Sequence, residues 1–163
     1  MADTNFPVAW GTTTALDVTN LHSLADGNIW GSEAIAPGSP TSPILQISYN
    51  LVTNAAMTAG EYIALWVINS DGEATTPYYP ASIVATQAQI TAAANIAEAL
   101  AACGPPNKIH AWQTSHGTTF RGLFLYYYPR TAWKVLVRPV GEAFAASGNL
   151  VRYRYGTPQG VAV

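Results

Sequence analysis

Leu45, Ile47, Tyr49 and Leu51 alternate with Gln46, Ser48 and Asn50 in residues 44–53. That is the two-residue period of a strand with one face buried and the other wet. The preceding Pro37, Gly38, Pro40 and Pro43 form a breaker cluster that predicts a loop up to the strand's start. Residues 61–69 behave differently, because Tyr62, Ile63, Ala64, Leu65, Trp66, Val67 and Ile68 leave no polar face. Such a strand belongs at the centre of a sandwich or beneath a partner, and Ser70, Asp71 and Gly72 predict the turn that ends it.

Further strands are expected at 121–128, 133–138 and 149–155, with weaker candidates at 13–18, 28–35 and 108–114. Residues 121–128 lead through Pro129 and Arg130 into 133–138, a spacing suited to a hairpin. Between these strands the stretch from Thr86, TQAQITAAANIAEALAACG, has Ile90, Ala93, Ala94, Ala97, Leu100 and Ala101 at helical spacing. Thr86 is the candidate cap, and Gly104 followed by two prolines is the stop. The expected fold is mainly β: an antiparallel β-sandwich or jelly roll with one Ala-rich helix at about 87–102.

At 163 residues the chain suits a single domain, 1–163, which would bury roughly 70% of the surface of its unfolded form. Only 10% of its residues are charged, against about 25% in an ordinary soluble protein. Ala, Thr, Ser, Gly and aromatic residues must therefore cover much of the surface, which favours association. The opening MADTNFPVAWG has neither a basic leader nor an apolar run, so no secretory signal is expected. No run approaches a membrane span. The single cysteine, Cys103, precludes an internal disulfide framework and points to synthesis in a reducing cytosol.

Charge is segregated along the chain. All seven basic residues lie from Lys108 onward, whereas eight of the nine acids precede it, giving about minus eight and plus six for the two parts. Net charge distribution governs association more than fold. The acidic part either pairs with the basic part within one molecule or leaves the latter for a partner.

Catalytic constellations are not apparent in the sequence. His22, His110 and His116 lack the short spacing of zinc ligands. Cys103 falls at a predicted helix C-terminus, where the dipole disfavours a thiolate. There is no nucleophile elbow, phosphate loop or dinucleotide fingerprint. Asp71 and Glu73 flank a turn glycine, and Glu61 and Glu142 are unpaired in sequence, so the facing carboxylates of sugar hydrolysis are not suggested. The expectation is a protein that is not an enzyme and uses no metal or cofactor.

Trp66 and Trp133 lie within strands and are expected in the core, whereas alternation through Tyr126, Tyr127 and Tyr128 sends Tyr127 to the opposite face from its neighbours. Lys134, Leu136 and Arg138 share one face of their strand, as do Arg152 and Arg154. Were these strands neighbours, four cations and a leucine would form one stripe. Lys134, Arg138, Arg152, Arg154 and Tyr127 are thus the expected protein-binding residues. A sequence pI of about 5.8 and the lack of a known nucleic-acid module favour an acidic protein surface over nucleic acid as the target.

Residues 119–159 resemble the C-terminal part of small structural proteins of tailed bacteriophages: a W-K-V-x-V-R strand, a Gly/Ala loop, an A-A-S-G-N turn and a Tyr/Arg strand. Here these are Trp133, Lys134, Val135, Val137 and Arg138, then Ala145, Ala146, Ser147, Gly148 and Asn149, then Tyr153 and Arg154. The resemblance covers about a quarter of the chain. It implies a β-sandwich virion component, foremost a capsid decoration (cement) protein that binds the major capsid protein or other virion subunits. It further implies a homo-oligomer, with a trimer favoured, made in the host cytoplasm and located in the virion. The alternative it implies is a tail or fibre subunit with a carbohydrate- or receptor-binding role.

Overall fold

A computed structural model gives the fold, described for residues 7–37, 42–70, 79, 83–111, 117–127 and 131–159. Among the described residues there are ten strands: β1 (Val8–Trp10), β2 (Thr14–Ala15), β3 (Ile29–Gly31), β4 (Ile44–Val52), β5 (Tyr62–Asn69), β6 (Ala88–Ile90), β7 (Lys108–Ala111), β8 (Thr119–Tyr127), β9 (Trp133–Val140) and β10 (Leu150–Pro158). One helix, α1 (Ala93–Cys103), and a short 3-10 turn at Thr19–Leu21 complete them.

The strands form two antiparallel sheets. The outer sheet runs β1-β10-β4-β8, with β2 also paired to β10, and the inner sheet runs β6-β3-β9-β5-β7. Their facing sides enclose the main core, which includes Leu45, Ile47, Leu51, Ile63, Leu65, Val67, Trp133, Val135 and Val137. A second apolar layer covers the inner sheet's other face, where Ile29, Ala64, Trp66 and Leu136 pack with Tyr79, Ile83 and Ala99 of α1. The protein is mainly β, a sandwich with one helix, as the strand periodicity predicts.

The two strand patterns read from the sequence find matching places. β4 buries Leu45, Ile47, Tyr49 and Leu51 and lies in the outer sheet, whose far side is wet. β5, apolar on both sides, sits within the inner sheet between β9 and β7, with Ile63, Leu65 and Val67 in one layer and Ala64 and Trp66 in the other. Trp66 and Trp133 are both buried.

Two local expectations are corrected. The helix starts at Ala93 rather than near residue 87, because residues 88–90 pair as β6 with β3, placing Ile90 opposite Ile29. The Gln87 side chain donates to the Asp17 carbonyl and that of Gln89 to the Asn20 carbonyl, so tertiary contacts hold this stretch extended despite its helical spacing. Ala92, not Thr86, is the N-cap, and the helix ends at Gly104, whose carbonyl accepts the Trp66 indole N–H at 3.0 Å. The expected hairpin is absent, since β8 joins the outer sheet and β9 the inner one. β8 alternates wet and dry residues, whereas β9 is buried along most of its length and needs cover on both faces.

Candidate interaction face on the outer sheet

Strand register decides which side chains share the exposed side of the outer sheet. Arg152 lies opposite Ser48 and Arg154 opposite Gln46, while Asn50, Ser48, Gln46 and Ile44 lie opposite Arg121, Leu123, Leu125 and Tyr127. These rows put three arginines and a run of large apolar groups on one solvent face. Leu123 is 57% exposed, Leu125 41% and Tyr127 57%. Three of the five exposed large hydrophobic residues found among the described residues therefore belong to β8. A contiguous apolar patch of this kind is a hallmark of interaction surfaces.

Between β8 and β10 the face dips into a shallow depression of about 450 Å³, lined by Ser48, Asn50, Leu123 and Leu150 and flanked by Arg121 and Arg152. The two flanking strands sit either side of β4, about 10 Å apart at the usual strand spacing. Arg121 donates from Nε to Asn50 Oδ1 at 2.8 Å, and Arg154 donates from Nε to Gln46 Oε1 at 2.7 Å. Both acceptors are neutral, so these contacts orient the guanidinium groups without cancelling their charge. The Arg154 guanidinium also lies over the Trp10 ring, 4.5 Å from its centroid, and the ring rests on Gly156, where a Cβ would come within 2.8 Å of it.

The expected cationic stripe does not form. β9 and β10 belong to different sheets, so Lys134 and Arg138 face the α1 side while Arg152 and Arg154 face solvent beyond the outer sheet. Lys134 is only 1% exposed, and its ammonium donates to the Val84 and Thr86 carbonyls beneath the Tyr79 ring. It is a structural clamp rather than a surface cation. Arg138 donates from Nε to the Gly27 carbonyl at 2.9 Å and borders a separate hollow with Trp66 and Leu100. Of the five residues expected to bind a partner, Arg152, Arg154 and Tyr127 share the open face. Arg121 and Trp10 join them, and the place of Arg121 in the same two-residue row as Leu123, Leu125 and Tyr127 was the signal for the former.

Three acids of the N-terminal part hold backbone N–H groups of turns and bends. The Asp17 carboxylate accepts from the Thr19 N–H at 2.8 Å and from its hydroxyl at 2.7 Å, and the backbone bond in particular holds its pKa below the usual value. Asp26 accepts from the Gly141 N–H at 2.7 Å, and Glu61 from that of Thr58. Asp71, Glu73, His116 and Tyr128 lie outside the described residues. His110 closes the gap between the edges of the sheets, 3.2 Å from Tyr49 Oη and edge-on to Phe120. His22 Nδ1 is 3.2 Å from Asn149 Nδ2. Among the described residues no three His, Cys, Asp or Glu side chains converge, and no helix is long and apolar enough to cross a membrane.

Burial pushes the Cys103 thiol pKa up to about 11, which disfavours a nucleophilic thiolate. In comparisons with known proteins, no family model matches the chain and no curated protein is significantly similar to it.

Proposed function

We propose that this chain is a non-enzymatic structural subunit that binds an acidic, partly apolar protein surface through the open face of its outer sheet. The observation that carries this reading is the exposed row of Leu123, Leu125 and Tyr127 beside Arg121, Arg152 and Arg154. Apolar burial supplies the gross driving force, at roughly 25 cal/mol per Å² before ordering costs. The arginines select partners whose carboxylates complement them and speed encounter.

The resemblance of residues 119–159 to tailed-bacteriophage structural proteins extends the proposal to a virion component, with capsid decoration preferred. The low charged fraction suits a subunit covered by neighbours. A carbohydrate-binding role needs at least two open aromatic rings, and with Arg154 over the Trp10 ring this face offers Tyr127.

The test is co-sedimentation of the purified protein with empty shells of the phage that encodes it. Arg121→Glu with Arg152→Glu is expected to lower shell occupancy at least tenfold while changing the melting temperature little. Wild-type occupancy by the double variant would overturn the use of this face, and absence of shell binding by the native protein would overturn the decoration role.

A further inference from the structure

β8 is an outermost strand of the outer sheet, nine residues long, and no strand among the described residues pairs with its far side. Its orientation is fixed by the Thr53 N–H, which donates to the Thr118 carbonyl at 2.9 Å in register with the β4–β8 ladder. Hydrogen-bonded pairs recur every second residue in an antiparallel ladder. Phe120, Gly122, Phe124 and Tyr126 therefore direct their backbone groups at β4. Thr119, Arg121, Leu123, Leu125 and Tyr127 direct theirs at the free edge. The Val52 N–H agrees with this phase, pointing away from β8 to Asn149 Oδ1 at 2.8 Å.

Protected edge strands are short or carry charged side chains, Pro or a bulge. β8 carries a single charge, Arg121, and no Pro, and its register with β4 is continuous from Thr119 to Tyr127. Its exposed backbone groups belong to the same residues that expose Leu123, Leu125 and Tyr127. We infer that two copies of this chain associate through antiparallel pairing of β8 with β8 about a two-fold axis at Leu123, joining their outer sheets into one.

The occupant follows from charge and register. With the axis at Leu123, Arg121 meets the other copy's Leu125, and Thr119 meets its Tyr127. With the axis at Arg121, two guanidiniums would oppose each other directly, which is destabilising. In the Leu123 register the two Arg121 residues stand four positions apart along the strands, roughly 14 Å, beyond the screening length of about 8 Å. Five residue pairs, each exchanging two bonds, supply about ten backbone hydrogen bonds. A contact roughly 30 Å long and one sheet layer, about 10 Å, deep covers on the order of 300 Å² per copy, so the backbone ladder and the Leu123, Leu125 and Tyr127 pairs carry the association rather than area. A two-fold axis closes the assembly at two copies, unlike the trimer implied by the resemblance.

The experiment combines mass measurement with register-specific cross-linking. Sedimentation equilibrium of the full chain is expected to give twice 17.3 kDa. Leu123→Lys, and Leu123→Pro, which removes an edge-facing N–H and no bond of the β4 ladder, are both expected to halve that mass. Arg152→Glu, which tests the partner-binding face, is expected to leave it doubled, so failure of either reading is distinguishable. In a Cys103→Ala background, Leu123→Cys is expected to form an intermolecular disulfide on mild oxidation, because residues on the axis bring their Cα atoms to about 5.5 Å. Leu125→Cys is not. A monomeric or trimeric native mass, a doubled mass in both Leu123 variants, or equal cross-linking from the two cysteine variants would overturn the inference.

Discussion

The Lys134 ammonium donates to the Thr86 carbonyl at 3.0 Å, tying β9 to the segment that leads into β6. The Val84 carbonyl accepts from the same group, so this buried lysine holds the covering layer against the inner sheet. Lys134→Met fills similar volume but leaves both carbonyls without this donor. The expected loss is about 2–4 kcal/mol, measured by urea unfolding.

Stability should also depend on pH through this residue. Burial holds the Lys134 pKa down to about 8, from an ordinary 10.5. Above about 8 the folded chain has released a proton that the unfolded chain retains, so stability rises with pH until the unfolded lysine also titrates. Tyr49, Tyr79 and Tyr155 have pKa values raised by burial above 10.0 and act in the opposite sense beyond that point. Calorimetric scans from pH about 8 to about 10 are expected to show a rising contribution in the native protein that Lys134→Met lacks. Identical pH slopes would contradict this account.

Asn149 joins three segments. Its Oδ1 accepts the Val52 N–H at 2.8 Å, and its Nδ2 donates to the Ala145 carbonyl at 2.9 Å, with the side chain 5% exposed. Asn149→Ala is expected to cost about 1–3 kcal/mol, because the Val52 N–H loses its partner while the Ala145 carbonyl keeps only the Ser23 N–H. Hydrogen exchange at Val52 should accelerate in this variant by more than at Leu45.

Gly122 lies directly opposite Tyr49, and a Cβ there would come within 2.4 Å of the phenol oxygen and 2.6 Å of Cζ. Gly122→Ala is therefore expected to destabilise by about 1–3 kcal/mol through overpacking. Shortening the opposing side chain with Tyr49→Leu should make Gly122→Ala cheaper. Additive unfolding energies in this double-mutant cycle would show that the two positions do not compete for space.

Cys103 should react slowly with a thiol reagent in the folded protein, since its pKa of about 11 leaves little thiolate near neutrality. Unfolding in urea is expected to accelerate labelling at least tenfold. Equal rates in the folded and unfolded chains would contradict the burial of this thiol.

The character of most strands was legible from residue order. Alternation in 44–53 and the unbroken apolar run in 62–68 anticipate the half-wet β4 and the doubly covered β5. Alternation also anticipates Tyr127 pointing outward and the division of β10 between buried Val151 and solvent-facing Arg152. β6 escaped this reading, because Ala- and Gln-rich residues carry a helical spacing that pairing with β3 overrides. β1 is short, and its Trp10 gains its place from Gly156 and Arg154, which are distant in sequence.

Residue order dictates a sandwich of short strands and a gathering of cations in the last third, since side-chain period and charge order are local properties. Packing between distant segments buries Lys134 and leaves Arg152 open, although each alternates with apolar neighbours. Alternation specifies two sides of a strand but not what covers either. Placing β9 under α1 and β10 in the outer sheet settles that through contacts between residues far apart along the chain.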